Sequence, residues 1–238
     1  MDSIVGSLRL GWEALLLKED AYERMRAAAD PVVKGLILIV IVGLAVGLLG
    51  FVGDVMEWAT TPNLAEIKDT VLAYLTQMPW WQEMAQNPEF VRIFQWWYDL
   101  GWDIASVFGT VSVGEAAAGI ILIPLGLIFR WLLYGLVAYL FARWMGGTAN
   151  LSETLGVLAL AVAPQALNVV SVFPYVELGG LVAVWGLLCA YLGIKTAHNL
   201  SWYRSLWVTL LPFILAAVLL ALGACLGSVI FAALVKGG

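Results

Sequence analysis

The sequence predicts an all-α fold: a polytopic membrane helical bundle of five transmembrane helices, with an amphipathic N-terminal interfacial helix and a helical, aromatic extracytoplasmic loop. Hydrophobic residues make up 62% of the 238 residues and charged residues only 12%, about half the charged share of a soluble domain. Residues 151–238 form a nearly unbroken series of apolar runs. No soluble domain could bury so many apolar side chains around one core, so much of this surface must face lipid.

Residues 1–30 are predicted to form a cytoplasmic amphipathic helix in the membrane interface. Ile4, Leu8 and Trp12 recur at helical spacing, and charged side chains mostly occupy the other faces. Pro31 then ends the pattern and turns the chain into the membrane. We interpret the segment as a membrane anchor, with a docking site for a partner as the alternative.

Residues 31–238 are predicted to form one membrane domain. A bilayer core about 30 Å thick needs roughly 20 apolar residues in a helix. Two pairs of glycines spaced by four residues, 43/47 and 223/227, favour close helix packing within it. The apolar stretches predict spans at about 32–53, 116–145, 154–173, 178–194 and 206–235.

Lysine and arginine positions predict the orientation. With the N-terminus in the cytoplasm, the inner segments hold eight basic residues and the outer segments three, which satisfies the positive-inside rule. Five spans then place both the C-terminus and the 54–113 insertion on the extracytoplasmic side.

The insertion at 54–113 is rich in tryptophan and predicted to be helical. Asn87-Pro88 is a helix-start signal, and six of the twelve tryptophans lie in this loop. Amphipathic aromatic rings settle at the lipid headgroup level, so the first interpretation is a pair of helices on the outer leaflet. A surface for a partner protein or a pigment is the alternative. The candidate partner or lipid surface comprises Trp80, Trp81, Phe94, Trp96, Trp97 and Trp102.

A few polar residues interrupt the spans, where polar side chains mark functional sites. Arg130 lies about 20 Å along its span from Arg143, and Asn168 about 21 Å from Thr154. If neighbouring antiparallel spans bring these residues to one depth, a polar node forms; snorkelling of the arginine to the surface is the alternative. The candidate intramembrane polar node comprises Arg130, Gln165, Asn168 and Ser171.

The sequence predicts no enzyme, no catalytic residues, no cofactor and no metal site. It contains one histidine, His198, and two cysteines within spans, too few ligands for a metal cluster. Phosphate-binding loops, paired-histidine zinc motifs and nucleophile elbows do not occur in it. Nothing in the charge pattern, with a net charge of −5, indicates binding to nucleic acid.

Four short motifs in the C-terminal half occur in a specific order and spacing. Together they resemble the Yip domain family of Ypt/Rab-interacting integral membrane proteins, and its prokaryotic branch in particular. The motifs are Arg143-Trp144-Met145-Gly146-Gly147, Leu151-Ser152-Glu153-Thr154-Leu155, Ala161-Val162-Ala163-Pro164 and Lys195-Thr196-Ala197-His198-Asn199-Leu200-Ser201. The resemblance assigns family-motif positions to Gly146, Gly147, Thr154, Pro164, His198 and Ser201.

The resemblance implies a five-span bundle with a cytoplasmic N-terminus in a prokaryotic plasma (inner) membrane. Eukaryotic members of the family act in vesicle traffic and bind Rab-type GTPases. This chain contains no Asp-Leu-Tyr-Gly-Pro motif and has a short N-terminal region, so we do not expect GTPase binding to carry over from the eukaryotic members.

The combined prediction is a non-enzymatic integral membrane scaffold or an accessory subunit of a membrane protein complex. Its partners would be the lipid bilayer and either another membrane protein or further copies of the same chain. The alternative is a small-molecule, ion or lipid transporter, or a lipid-handling protein, with a polar site around Arg130, Gln165 and Asn168.

Overall fold

A computed structural model describes residues 2–60, 64–109, 113–173, 176 and 178–237. These residues are almost entirely helical and contain no strand. A 3₁₀ segment, Leu160–Val172, follows α8 without a break. The α-helices of the described residues are α1 (Asp2–Leu15), α2 (Glu19–Arg26), α3 (Pro31–Thr60), α4 (Leu64–Gln77), α5 (Pro79–Met84), α6 (Pro88–Gly109), α7 (Val113–Trp144), α8 (Leu151–Ala159), α9 (Gly179–His198) and α10 (Trp202–Gly237).

Five helical segments within the described residues are long and apolar enough to cross a membrane. The predicted all-α fold with five transmembrane helices is therefore confirmed. The segments are Pro31–Glu57, Ala116–Trp144, Leu151–Val170, Gly179–His198 and Trp202–Ser228.

The third span changes helix type part-way along its length. It begins as α8 and continues as the 3₁₀ segment, which contains Pro164. Proline has no N–H to donate to the α-helical ladder and crowds the preceding turn. A 3₁₀ helix rises about 2.0 Å per residue against 1.5 Å in an α-helix, so this span advances farther for each residue than its neighbours.

The centre of the bundle is α3, and two of its glycines set its packing against α7. A Cβ added at Gly43 would lie 2.7 Å from the Pro124 Cα, and one at Gly47 would lie 3.0 Å from the Ile120 Cα. The predicted close approach at this glycine pair is confirmed, because α7 packs directly on the bare backbone of α3. The other predicted pair, at 223 and 227, has open space around both residues.

The N-terminal helices pack on the side of the bundle. Ala14, Tyr22 and Met25 are fully buried, and the Trp185 Nε1–H of α9 donates to the Leu15 carbonyl at 2.8 Å. The opposite face of α1 exposes apolar side chains that include Trp12. The placement of this segment in a cytoplasmic interface stays a prediction.

Helices α4, α5 and α6 form the insertion between the first two spans. Pro79 and Pro88 each begin a helix, as first-turn prolines do. Lys68 of α4 and Asp99 of α6 form an ion pair at 2.7 Å, which ties the two longer helices together. The hydrogen bond to Asp99 raises the pKa of the Lys68 ammonium above its ordinary value.

Candidate functional site at the polar end of the bundle

A glycine turn joins α7 to α8. Gly146 has a φ of +91°, in the left-handed region that glycine adopts without a Cβ penalty. Arg143 Nη1 donates to the Gly147 carbonyl at 3.0 Å, and Arg204 Nη1 of α10 donates to the Met145 carbonyl at 3.3 Å. Two cationic groups thus satisfy carbonyls at the C-terminal end of α7, where the helix dipole favours positive charge.

His198, the last residue of α9, is completely buried against this turn. Asn199 follows it with a φ of 52°, which ends the helix in the left-handed conformation. A Cβ added at Gly147 would meet the His198 Nδ1 and lie 2.9 Å from its Cβ. The imidazole therefore packs on the bare face of the glycine, and the Thr148 N–H donates to the His198 carbonyl at 3.4 Å. We name Gly147, Thr148, Thr154 and His198 the His198 cluster.

Thr154 of α8 completes the His198 cluster with a buried side-chain hydrogen bond. Its Oγ1 donates to the Asn150 carbonyl at 2.8 Å and lies 2.9 Å from the His198 Nε2. The arrangement that leaves no buried N–H of the ring unpaired has the Nε2–H donating to Oγ1 while Oγ1 donates to the Asn150 carbonyl, which assigns the Nε2–H tautomer. The other ring nitrogen, Nδ1, is buried and has no hydrogen-bond partner among the described residues, so it carries the lone pair. One bond therefore joins α8 to α9 across the interior.

Helix α8 begins with a capping box that also holds α2. The Asn150 Oδ1 accepts from the Glu153 N–H at 2.9 Å, and the Glu153 Oε2 accepts from the Asn150 N–H at 3.1 Å. Glu153 Oε2 also lies 3.7 Å from the Arg26 Nε, and Arg26 Nη1 donates to the Thr196 carbonyl at 3.4 Å. Arg26 therefore connects α2 to both α8 and α9.

Replacing Asn150 with alanine is expected to lower the free energy of unfolding by about 1 kcal/mol, because the cap of α8 is lost. For a chain of this size the melting temperature in detergent should fall by about 2–4 °C. Ser152→Ala, at an exposed position two residues later, is the matched control and should change little. Equal melting temperatures for the two variants would show that the capping box contributes nothing.

A polar cavity of about 650 Å³ opens beside the His198 cluster. It lies between α2, α8 and α9, and its walls carry charges of both signs. Lys195 Nζ and Glu19 Oε1 form an ion pair at 3.2 Å, and Glu23 lies on the same wall. Partly exposed pairs of this kind contribute less than about 1 kcal/mol each. The cavity is suited to a polar group and not to an acyl chain.

Two of the family-motif residues lie apart from the His198 cluster. Pro164 is buried within the 3₁₀ segment. Ser201 precedes α10, and its carbonyl accepts both the N–H of Ser205 at 3.0 Å and its Oγ–H at 3.1 Å. Gly146, Gly147, Thr154, His198 and Ser201 share one end of the bundle, whereas Pro164 lies within a span.

The structure brings together only part of the predicted polar node. Asn168 Nδ2 donates to the Gln165 Oε1 at 2.9 Å, whereas the exposed Arg130 lines a different cavity with Leu158. No hydrogen bond or ion pair within the described part of the chain joins Arg130 to Gln165 or Asn168. The side chain of Ser171 lies outside the described residues.

A shift between α7 and α8 explains this separation. The prediction that Arg130 and Asn168 lie at one depth assumed that Arg143 and Thr154 lie at the same level in the membrane. Instead the Trp131 Nε1–H donates to the Leu155 carbonyl at 2.8 Å, which places the middle of α7 beside the start of α8. Asn168 is thirteen residues beyond Leu155, roughly 24 Å for four α-helical and nine 3₁₀ steps.

The predicted aromatic surface of the insertion divides into an inner and an outer part. Trp81 and Phe94 meet edge to face at 4.8 Å between ring centroids, and Tyr98 links Phe94 to Trp102. Trp80 contacts both Trp81 and Phe94. These rings hold α5 against α6, since aromatic pairs of this geometry stabilise packing.

The outer part consists of Trp96 and Trp97. Their rings meet at 4.8 Å, and the two residues are 58% and 62% exposed. Neither α4 nor α5 has a buried residue. The insertion therefore presents large apolar rings outward, which is typical of a surface that contacts lipid or protein.

Comparison with known proteins places the chain in a family. The Yip1 domain family matches residues 12–223, nearly the whole chain. The chain belongs to the Yip1 family. The predicted resemblance is confirmed at the level of the family, and the prokaryotic branch stays a prediction. No curated protein and no solved structure matches the chain.

Within this Yip1-family chain, five apolar helices make an integral membrane protein that sits in a lipid bilayer. Its membrane and its orientation stay predictions. The described residues contain no group of three or more His, Cys, Asp or Glu side chains that could hold a metal ion. Within the His198 cluster, Gly147, Thr154 and His198 are buried, and the contact between Thr154 and His198 joins α8 to α9.

The sequence marks Tyr22 and Met25 as part of an apolar helical face, but it did not predict that this face packs on α9 of the Yip1 bundle. Tyr22 is fully buried, and a Cβ at Gly193 of α9 would lie 3.4 Å from its Cδ1. Burial raises the pKa of the Tyr22 phenol above its ordinary value. Its helical spacing with Met25 marks an apolar face of α2, but that pattern does not indicate which helix covers the face.

Proposed function

We propose that the chain is a non-enzymatic integral membrane scaffold or accessory subunit of a membrane protein complex. The observation that carries the proposal is the outward pair Trp96 and Trp97, held on an insertion whose inner rings already pack on each other. Large aromatic residues of this kind dominate the binding energy of protein interfaces. The insertion is the docking surface, and the five-span bundle is its membrane anchor.

The buried state of the only histidine supports a non-enzymatic role. His198 is 0% exposed, and its Nε2 is bonded to Thr154. An acid–base catalyst must reach the proton it transfers, and this ring faces the interior of the bundle. The alternative of a transporter site shared by Arg130, Gln165 and Asn168 loses support, because Arg130 lies apart from the other two.

The proposed setting follows from the sequence. A cytoplasmic N-terminus and an extracytoplasmic insertion agree with the distribution of basic residues. The prokaryotic plasma membrane rests on the family resemblance of the four motifs. The partner is then a second membrane protein or another copy of the chain, and the proposal includes no GTPase.

Replacing Trp96 and Trp97 together with serine is expected to abolish partner binding in mild detergent. Central tryptophans each contribute at least about 2 kcal/mol to binding hot spots, roughly a thirtyfold change in affinity. Native mass spectrometry of the purified complex measures the fraction of chain that retains a stoichiometric partner. The double substitution should remove that partner without changing the melting temperature of the bundle.

The matched control is a second exposed aromatic pair. Trp202 and Tyr203 at the start of α10 are 66% and 54% exposed and also meet edge to face. Replacing both with serine should leave the partner in place. A monodisperse lone monomer under several mild conditions, or equal partner loss in both double variants, would contradict the proposal.

A further inference from the structure

An apolar crevice of about 170 Å³ lies between α7, α8 with its 3₁₀ continuation, α9 and α10. It is separate from the polar cavity at the end of the bundle. Its volume is close to that of an apolar cavity of about 150 Å³ that binds benzene, enough for a stretch of hydrocarbon chain and too small for a whole lipid. The apolar walls include Leu127, Leu158, Val162, Leu187 and Phe213.

The polar groups of the aromatic walls are already bonded within the protein. Trp131 Nε1–H donates to the Leu155 carbonyl at 2.8 Å, and Tyr134 Oη–H donates to the Thr209 carbonyl at 3.1 Å. Of the lining residues that the structure describes, Arg130 alone carries a charge. Its side chain is exposed, and no ion pair within the described residues engages it. The crevice therefore combines a hydrocarbon surface with one available guanidinium.

The position of Arg130 in the bundle calls for an anionic partner. Arg130 lies fourteen residues, about 21 Å at helical rise, from Trp144 at the end of the apolar segment Ala116–Trp144. If Trp144 lies at one surface of a hydrocarbon core about 30 Å thick, the Arg130 Cα lies roughly 9 Å below the other surface, within reach of a snorkelling side chain. A charged side chain at such depth is costly unless it is paired or reaches the interface by snorkelling and local thinning of the bilayer. Guanidinium groups bind phosphate oxygens in bidentate geometry, and lipid phosphate is the anion that a bilayer supplies.

We propose that this crevice binds one anionic phospholipid, with a segment of one acyl chain between α7 and α9 and the lipid phosphate on Arg130. Charge complementarity selects the anionic headgroup, and the apolar walls of the crevice hold the acyl chain. The site is independent of the aromatic docking surface, so either can fail without the other.

The test is lipid retention by the full-length protein. The chain is reconstituted in bilayers of equal phosphatidylglycerol and phosphatidylcholine, extracted in mild detergent and weighed by native mass spectrometry. We expect one retained phosphatidylglycerol, and Arg130→Gln should lower the ratio of retained phosphatidylglycerol to phosphatidylcholine about tenfold, the loss of one charge-assisted contact. Arg130→Lys should retain part of the preference.

Two further variants distinguish binding of the lipid acyl chain from binding of the lipid headgroup. Gly186→Leu places a side chain in the crevice and should reduce retention of both lipids while Arg130 remains. Arg92→Gln removes an exposed arginine from the insertion and should change neither. Because no described ion pair involves Arg130, Arg130→Gln is expected to fold. In addition, phosphatidylglycerol should raise the melting temperature of the unaltered protein more than phosphatidylcholine does.

Equal retention of the two lipids by the unaltered protein would overturn the proposal. So would an unchanged ratio in Arg130→Gln. If Arg130→Gln instead dissociates a dimer or a bound protein and leaves the lipid ratio intact, the counter-charge belongs to a protein helix and the lipid site is wrong.

Discussion

Replacing Gly147 with alanine is expected to lower the free energy of unfolding by about 2–4 kcal/mol, the range of overpacking a closed site. The new Cβ would lie 2.8 Å from the Ala142 carbonyl oxygen and 2.9 Å from the His198 Cβ, and it would also meet the imidazole Nδ1. Neither neighbour can move easily. The carbonyl belongs to the last turns of α7, and the His198 ring is fixed by Thr154 on α8.

The matched control is Gly126→Ala in α7, the helix that precedes the turn. A Cβ at Gly126 has open space around it, and alanine favours a helix interior over glycine by about 1 kcal/mol. Thermal unfolding in one detergent should therefore show a large fall for Gly147→Ala and no fall for Gly126→Ala. Similar melting temperatures for the two variants would mean that the turn yields at little cost and that the contact with His198 does not constrain the bundle.

This contact also explains why two separate sequence motifs belong together. The Gly146-Gly147 turn and the turn at His198 are about fifty residues apart, and each was recognised only as a short family pattern. In the fold, the glycine supplies the bare surface on which the histidine packs. The two motifs are the two halves of one buried contact between the ends of α7 and α9.

Hydropathy was sufficient to predict the class of fold and the number of spans. Apolar helices of bilayer length have few alternative structures, because every backbone polar group in lipid must be bonded within the chain. The close contact of Gly43 with Pro124 was also predictable in kind, since small residues at four-residue spacing allow backbones to approach. What the pattern could not supply was the identity of the neighbouring helix.

The relative depth of residues in neighbouring spans was the feature that the sequence predicted least well. Counting residues from Arg143 and Thr154 assumed that the end of α7 and the start of α8 lie at one level and that both spans have the same rise per residue. The turn at residues 145–150 folds back on α7, so Leu155 contacts Trp131 instead of a residue near Arg143. The 3₁₀ segment then lengthens the third span further. This displacement, twelve residues of α7 from Arg143 to Trp131 or about 18 Å at helical rise, keeps Arg130 away from Asn168.

Of the polar contacts at the end of the bundle, the local capping box has a sequence pattern, whereas the long-range ion pair does not. Asn150 followed by Glu153 before an apolar run is a helix-start pattern, and the structure shows both halves of that capping box. The ion pair between Arg26 and Glu153 joins residues 127 positions apart. Such a pairing depends on how α2 folds back on the bundle, which no local pattern encodes.

The second large effect is expected from the buried bond between Thr154 and His198. Thr154→Val keeps the shape of the side chain but leaves the His198 Nε2–H without an acceptor, which should cost about 1–3 kcal/mol. In a background that carries His198→Leu, the Nε2–H donor is absent, so the loss of the Thr154 hydroxyl leaves no ring N–H unpaired. The same Thr154→Val substitution should then cost less than about 0.5 kcal/mol, so the double-mutant cycle should give a coupling energy of roughly 1–2 kcal/mol.

Thr209→Val is the matched control for this cycle. Thr209 is equally buried, but its hydroxyl donates to the Ser205 carbonyl within its own helix at 2.8 Å, so its loss leaves no side chain on another helix unpaired. Unfolding in mixed micelles would measure the free energy of unfolding of all four proteins in the cycle and of the control variant. If Thr154→Val costs the same with and without His198, then its hydroxyl serves only the Asn150 carbonyl of its own helix, and α8 and α9 are held together by apolar packing alone.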